Sequence, residues 1–160
     1  MDRAPARLAN HVKRTVVGPM WHGPALAQVL GEVTHEHAAA RPMPQAHSIW
    51  EIVLHVIAWA EIGRARLRGE RTADPPHEED WPPVGSTSEA EWKAAVERLH
   101  ASHRSLAEAV RRLDESAFDE KVPGLDYTVS NLLHGIIEHG TYHGGQIMLL
   151  AKMQGLYANR

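Results

Sequence analysis

The chain has 160 residues, 43% of them hydrophobic, which is the length of one domain and enough apolar material for one core. Its 17 Lys and Arg against 20 Asp and Glu leave a net charge of -3, and that balance offers no basic face to nucleic acid. Cysteine is absent, so disulfides, thiolate metal ligands and an internal thiol nucleophile are excluded, whereas 12 histidines are many for this length.

The N-terminal stretch from Met1 to Arg14 has no apolar segment of the kind a secretory signal needs. Residues 4–17 are expected to form at best a short separate helix, because Gly18-Pro19 and Gly23-Pro24 break the chain directly after it. The first long helix is expected over 24–40, with Pro24 in its first turn and Arg41-Pro42-Met43-Pro44 as its stop. The second opens with the capping box Ser48-Ile49-Trp50-Glu51 and runs to about Arg68, before Gly69. Residues 69–87 form an acidic, proline-rich linker, too long for a simple hairpin connection. The third helix opens with a second capping box, Ser88-Glu89-Ala90-Glu91, and runs to about Leu113. The fourth starts near Thr128 and ends before Gly155. No stretch alternates with period two, so no strand is expected. No run of about 18 apolar residues predicts a membrane span. The expectation is one all-α domain over 1–160, soluble and cytoplasmic, without nucleic acid or membrane as a partner and with a homodimer left open.

Each expected helix carries a seam of apolar residues at steps of three and four, the pattern of bundle packing. Five histidines occupy seam positions: His37, His55, His103, His139 and His143. A buried neutral imidazole has one donor and one acceptor to satisfy, at about 1–3 kcal/mol for each left unpaired. A single inward histidine is therefore more often a hydrogen-bonded core residue than a ligand. His139 and His143 differ, because spacing i, i+4 stacks two imidazoles on one helix face. With a third imidazole from a neighbouring helix they make a facial site that leaves coordination positions open. Gly140 follows His139, so the glutamate of the H-E-x-x-H proteases is missing.

Depth along the helices bears on the third ligand. His55 lies roughly 10 Å into its helix, and His139 and His143 roughly 16 and 22 Å into theirs. The levels agree if the linker crosses the length of the bundle, so that the helix pairs run up-down-down-up. His103 competes for the role, since its level suits either topology; as a core or outer-sphere residue it needs no metal. His37 has a weaker claim. Gln146 lies about 20° from His139 on the helical wheel and could orient a ligand imidazole. Glu51, one turn before His55, is explained by capping. His22 beside Trp21 reads first as a surface residue and second as a pocket-mouth residue. Gly144 and Gly145 cost helix stability and suggest close approach of another helix or a ligand.

His55 in Ser48-Ile49-Trp50-Glu51-Ile52-Val53-Leu54-His55, then Trp59, together with His134-Gly135-Ile136-Ile137-Glu138-His139-Gly140-Thr141-Tyr142-His143-Gly144-Gly145-Gln146-Ile147, resembles the DinB/YfiT-like superfamily of metalloenzymes. The early Trp21-His22-Gly23-Pro24 resembles members of the same group. The resemblance implies a four-helix bundle with a long crossover between the second and third helices. It also implies a divalent metal ion on His55, His139 and His143. Characterised members of the family include transferases and an isomerase that depend on low-molecular-weight thiols, although most members have no established reaction.

These features support two enzymatic readings, beside a non-catalytic metal- or ligand-binding bundle. The first is a transferase that joins an external low-molecular-weight thiol to an electrophilic small molecule. The second is a hydrolase that activates water, with Glu51 or His103 as the nearest base. Imidazole ligands suit zinc first and nickel next. Trp59, Gln146, His103, Glu51 and His22 are the expected pocket and supporting residues around the three ligands.

Overall fold

The computed structural model describes residues 4–157. Among them, seven helices form in chain order: α1 (Ala4–Val17), α2 (Leu26–Leu30), α3 (His35–Ala39), α4 (Ile49–Leu67), α5 (His77–Asp80), α6 (Glu89–Arg111) and α7 (Val129–Met153). A 3₁₀ turn, Glu115–Asp119, lies between the last two, and no strand forms among the described residues.

The capping signals act at three of these starts. Ser48 accepts from the Glu51 N–H at 3.2 Å, and Glu51 accepts from the Ser48 N–H at 2.7 Å, closing the box on α4. Ser88 accepts from the Glu91 N–H at 3.3 Å. Thr128 accepts from the Asn131 N–H at 3.2 Å and starts α7. Each such cap contributes about 1 kcal/mol. At the far end of α7, Gly155 takes φ 85°, and the Gly155 and Leu156 N–H groups bond back to the carbonyls of Lys152 and Ala151. That closure suits glycine because a side chain is strained at this φ.

The N-terminal third departs from expectation. Helix α1 is a fourth long helix, packed on α6 and α7, with Ala9, Val12, Thr15 and Val16 buried along one face. The Arg111 guanidinium donates to the Asn10 side chain at 2.7 Å. Conversely, the expected helix over 24–40 is two five-residue pieces, α2 and α3. Thr34 is the reason: its side chain accepts from the His37 N–H and starts a new helix there. The Val33 carbonyl accepts from the Trp92 indole at 2.9 Å, and the Glu32 N–H donates to the Tyr157 hydroxyl at 3.1 Å. Tertiary bonds thus take up backbone groups that a continuous helix would use. His37 is half-buried in this cap, its Nδ1 accepting from the Thr34 N–H at 3.3 Å, and belongs to no seam.

Helix α4 is central and apolar around most of its circumference, from Ile49 through Ile62. Gly63 permits a close approach to α7, because a Cβ there would lie 2.3 Å from Ile136 Cδ1. Along α4 and α6 residue numbers rise together: Trp50 packs on Trp92, Arg98 pairs with Glu61, and Leu106 lies near Gly63. Along α4 and α7 they run oppositely, with Gly63 at Ile136 and His55 at His139 and His143. The segment 69–87 makes the return and carries α5. It packs on the loop before α7, where the Thr72 carbonyl oxygen would lie 2.5 Å from a Cβ on Gly124, whose φ is 77°. No helix among the described residues is long and apolar enough to cross a membrane.

Candidate metal centre

His55 comes from the second turn of α4, and His139 and His143 come from successive turns of α7. Their ring centroids lie 4.4 to 4.8 Å apart. One ligating nitrogen from each lies within 4.8 Å of the others, so the three could hold a metal ion.

The outer nitrogens fix which atoms face inward. His55 Nδ1 lies 2.6 Å from the Asp80 backbone carbonyl, which can only accept, so Nδ1 carries the proton and Nε2 carries the lone pair. His143 Nδ1 donates to Gln146 Oε1 at 2.7 Å, and the Gln146 amide in turn donates to the Tyr142 hydroxyl at 3.0 Å. His143 therefore also presents an unprotonated Nε2. His139 Nε2 lies 2.8 Å from His55 Nε2. Two lone pairs facing each other at that distance repel unless His139 places a proton between them or a cation sits there. A donor set of three neutral imidazoles, two of them with held outer nitrogens, could hold a metal ion.

Burial keeps these rings neutral. It lowers the His139 pKa to about 3, and its neighbours His143 and His55 act in the same direction within that value. Burial also lowers His143 to about 4 against the opposing bond to Gln146. His55 is lowered by burial too, with the Asp80 carbonyl and carboxylate opposing. None of the three needs to lose a proton near neutral pH before it can bind a cation.

The linker completes the site. Asp80 Oδ1 lies 3.2 Å from His55 Nδ1 and accepts from the Trp59 indole at 2.7 Å. Trp81 stacks on His55 at 3.8 Å with an interplanar angle of 3°, and on His47 at 3.7 Å. A cavity of about 720 Å³ opens on the three histidines, walled by Trp59, Trp81, Tyr142 and Gln146 and rimmed by His47 and Met43.

Of the other residues singled out in the sequence, Trp59 and Gln146 line this cavity. Glu51 lies outside its lining, bonded to Ser48 and to Arg41 at 2.5 Å. His103 is buried against its own helix, with Nδ1 at 3.1 Å from the Leu99 carbonyl, while its Nε2 is buried without a hydrogen bond. His22 lines a separate, smaller cavity with Thr15 and Gly140. Asp80, Trp81 and His47 join the site without having been singled out in the sequence. The one available signal is a tryptophan between an acidic run and Pro82-Pro83, in a segment that otherwise reads as linker.

The family model described as the DinB superfamily matches residues 21–147. No curated protein and no solved structure matches the chain.

Proposed function

Since the chain belongs to the DinB superfamily, we propose that it is a metal-dependent transferase that joins an external low-molecular-weight thiol to an electrophilic small molecule. The observation that carries this reading is the convergence of three neutral imidazoles, His55, His139 and His143, on one wall of a cavity of about 720 Å³. The ion is proposed to be zinc, with nickel second, since imidazole suits both. Such an ion supplies the positive charge that acidifies an incoming thiol or water.

The chain's own residues do the rest. Gln146 and the Asp80 carbonyl hold two ligand rings with their lone pairs inward. Trp81 and Trp59 wall off water on the α4 side, and Tyr142 walls the cavity on α7. With no cysteine of its own, the protein must take its sulfur from solution. The hydrolytic alternative needs a base at the cavity. Glu51 is engaged in a cap and an ion pair, and neither it nor His103 lines the cavity.

The direction of contacts among α1, α4, α6 and α7 supports an up-down-down-up bundle with α1 as its first helix and 69–87 as the crossover. We place the protein in the cytoplasm, with a small molecule as its partner. The test is a screen of electrophiles against several thiols with metal-loaded protein. Turnover that requires both thiol and metal is expected. Turnover without thiol would favour hydrolysis, and no uptake of zinc or nickel on titration would overturn the metal reading.

A further inference from the structure

A second cavity, of about 440 Å³, lies on the other side of the Trp59–His139 pair, which it shares with the first. Arg66, three turns after His55 on α4, lines it and is only 2% exposed. The guanidinium donates to the Tyr127 hydroxyl at 2.5 Å, to Asp74 Oδ1 at 2.9 Å and to the Ala73 carbonyl at 3.3 Å. It also lies over the rings of Trp59 and Tyr127, at 5.4 and 5.8 Å from their centroids. Its Nε is buried without a hydrogen bond.

A permanent cation inside the protein needs a counter-charge, because an unpaired buried ion is strongly unfavourable. The carboxylate paired with it is Asp74, whose side chain is 84% exposed and which comes from the irregular segment 69–87. An exposed carboxylate on a loop is held weakly, since water competes for it and its chain has little packing to lose. A buried guanidinium, walled by two aromatic rings and reached through one exchangeable carboxylate, has the chemistry of a carboxylate receptor.

We infer that this cavity is a binding site for the carboxylate of a small organic acid, which takes the place of Asp74 on Arg66. Tyr127 and Trp59 receive the apolar part of the ligand. Asp74 is then an internal competitor that keeps the cation paired while the site is empty, and apparent affinity is reduced by the fraction of time it sits in place. Because His139 forms part of the shared wall, an acid bound here is held beside the proposed metal centre. The binding claim itself needs no metal.

The experiment uses benzoate as probe and the full chain, stripped with phenanthroline and dialysed, so that a failed metal site does not affect the outcome. Benzoate is titrated while the indole N–H signal of Trp59 is followed by NMR, with benzyl alcohol as the uncharged control. We expect benzoate to shift that signal and benzyl alcohol to leave it in place. Asp74→Asn should bind benzoate about tenfold more tightly, since the competitor is gone. Arg66→Gln should abolish binding. Should that variant fail to fold, the Asp74→Asn comparison decides alone. Equal binding of benzyl alcohol would make the cavity merely apolar and overturn the inference. So would unchanged or weaker benzoate binding in Asp74→Asn, which would make Asp74 a structural partner and not a placeholder.

Discussion

Helix α7 and the segment 69–87 both build the candidate metal centre, and they do so in opposite ways. Helix α7 supplies two imidazoles and Gln146 from one face of a regular rod, where spacing alone determines who is neighbour to whom. The linker supplies a backbone carbonyl, a carboxylate and a stacked indole from irregular chain, where nothing but the folded structure brings them to His55. The difference separates two jobs. The regular helix sets the distance between donors. The irregular segment sets which nitrogen of His55 faces inward and how much water reaches it.

The most damaging way to break this arrangement is to remove a donor. His139→Ala, His143→Ala or His55→Ala should lower zinc affinity by more than about a hundredfold, since loss of an outer partner alone costs about 10–100-fold. Competition against a chromophoric chelator measures it. Equal loss from His103→Ala would show that the ligand set is wrong.

The outer partners sharpen the comparison. Gln146→Leu removes the side chain bonded to His143 Nδ1 and should weaken zinc binding by about 10–100-fold. Asp80→Asn leaves the backbone carbonyl on His55 Nδ1 in place and should weaken it by less than Gln146→Leu does. If the order is reversed in the same titration, the Asp80 carboxylate and not the peptide group holds His55.

The parts legible in the sequence are those that obey helical spacing. Ser48, Thr128 and Gly155 mark helix ends in the structure as they do in the sequence, and His139 and His143 share a face because they are four apart. Helix α1 is hard to read as a bundle member because its buried stripe is built on Pro5, Ala9, Val12 and Thr15, small residues between charged ones. The stretch 24–40 misleads because its apolar steps continue through Thr34, which caps a new helix. Asp80 and Trp81 are invisible for a different reason. They reach His55 across 25 residues of chain through tertiary packing that no local period encodes.

A smaller effect concerns acid. Burial lowers His139 to about 3 and both His143 and His103 to about 4, while an unfolded histidine titrates near 6.5. The unfolded chain therefore binds more protons than the native one between those values. The stability of the metal-free protein should be fully present above about pH 6.5 and fall as pH drops through the window down to about 3. A melting-temperature series across this range measures it. His103→Leu should flatten the decline, because it removes a buried ring outside the metal centre. An unchanged slope would mean that His103 is protonated within the fold.

The smallest effect separates two glycines of α7 that look alike in sequence. A Cβ on Gly140 would lie 2.5 Å from Thr15 Cγ2, whereas one on Gly145 would meet nothing within 4 Å. Thr15 cannot simply turn away. It is buried, branched at Cβ and tied through Oγ1 to the His11 carbonyl at 3.2 Å, so α1 itself must shift. Gly140→Ala should cost about 1–3 kcal/mol as overpacking, partly offset by its better helix propensity. Gly145→Ala should stabilise the protein by up to about 1 kcal/mol, because only the propensity term acts. Thermal or urea unfolding of the two variants side by side measures both signs. A stabilised Gly145→Ala protein that has lost turnover would mean that this glycine leaves room for a ligand rather than for a helix.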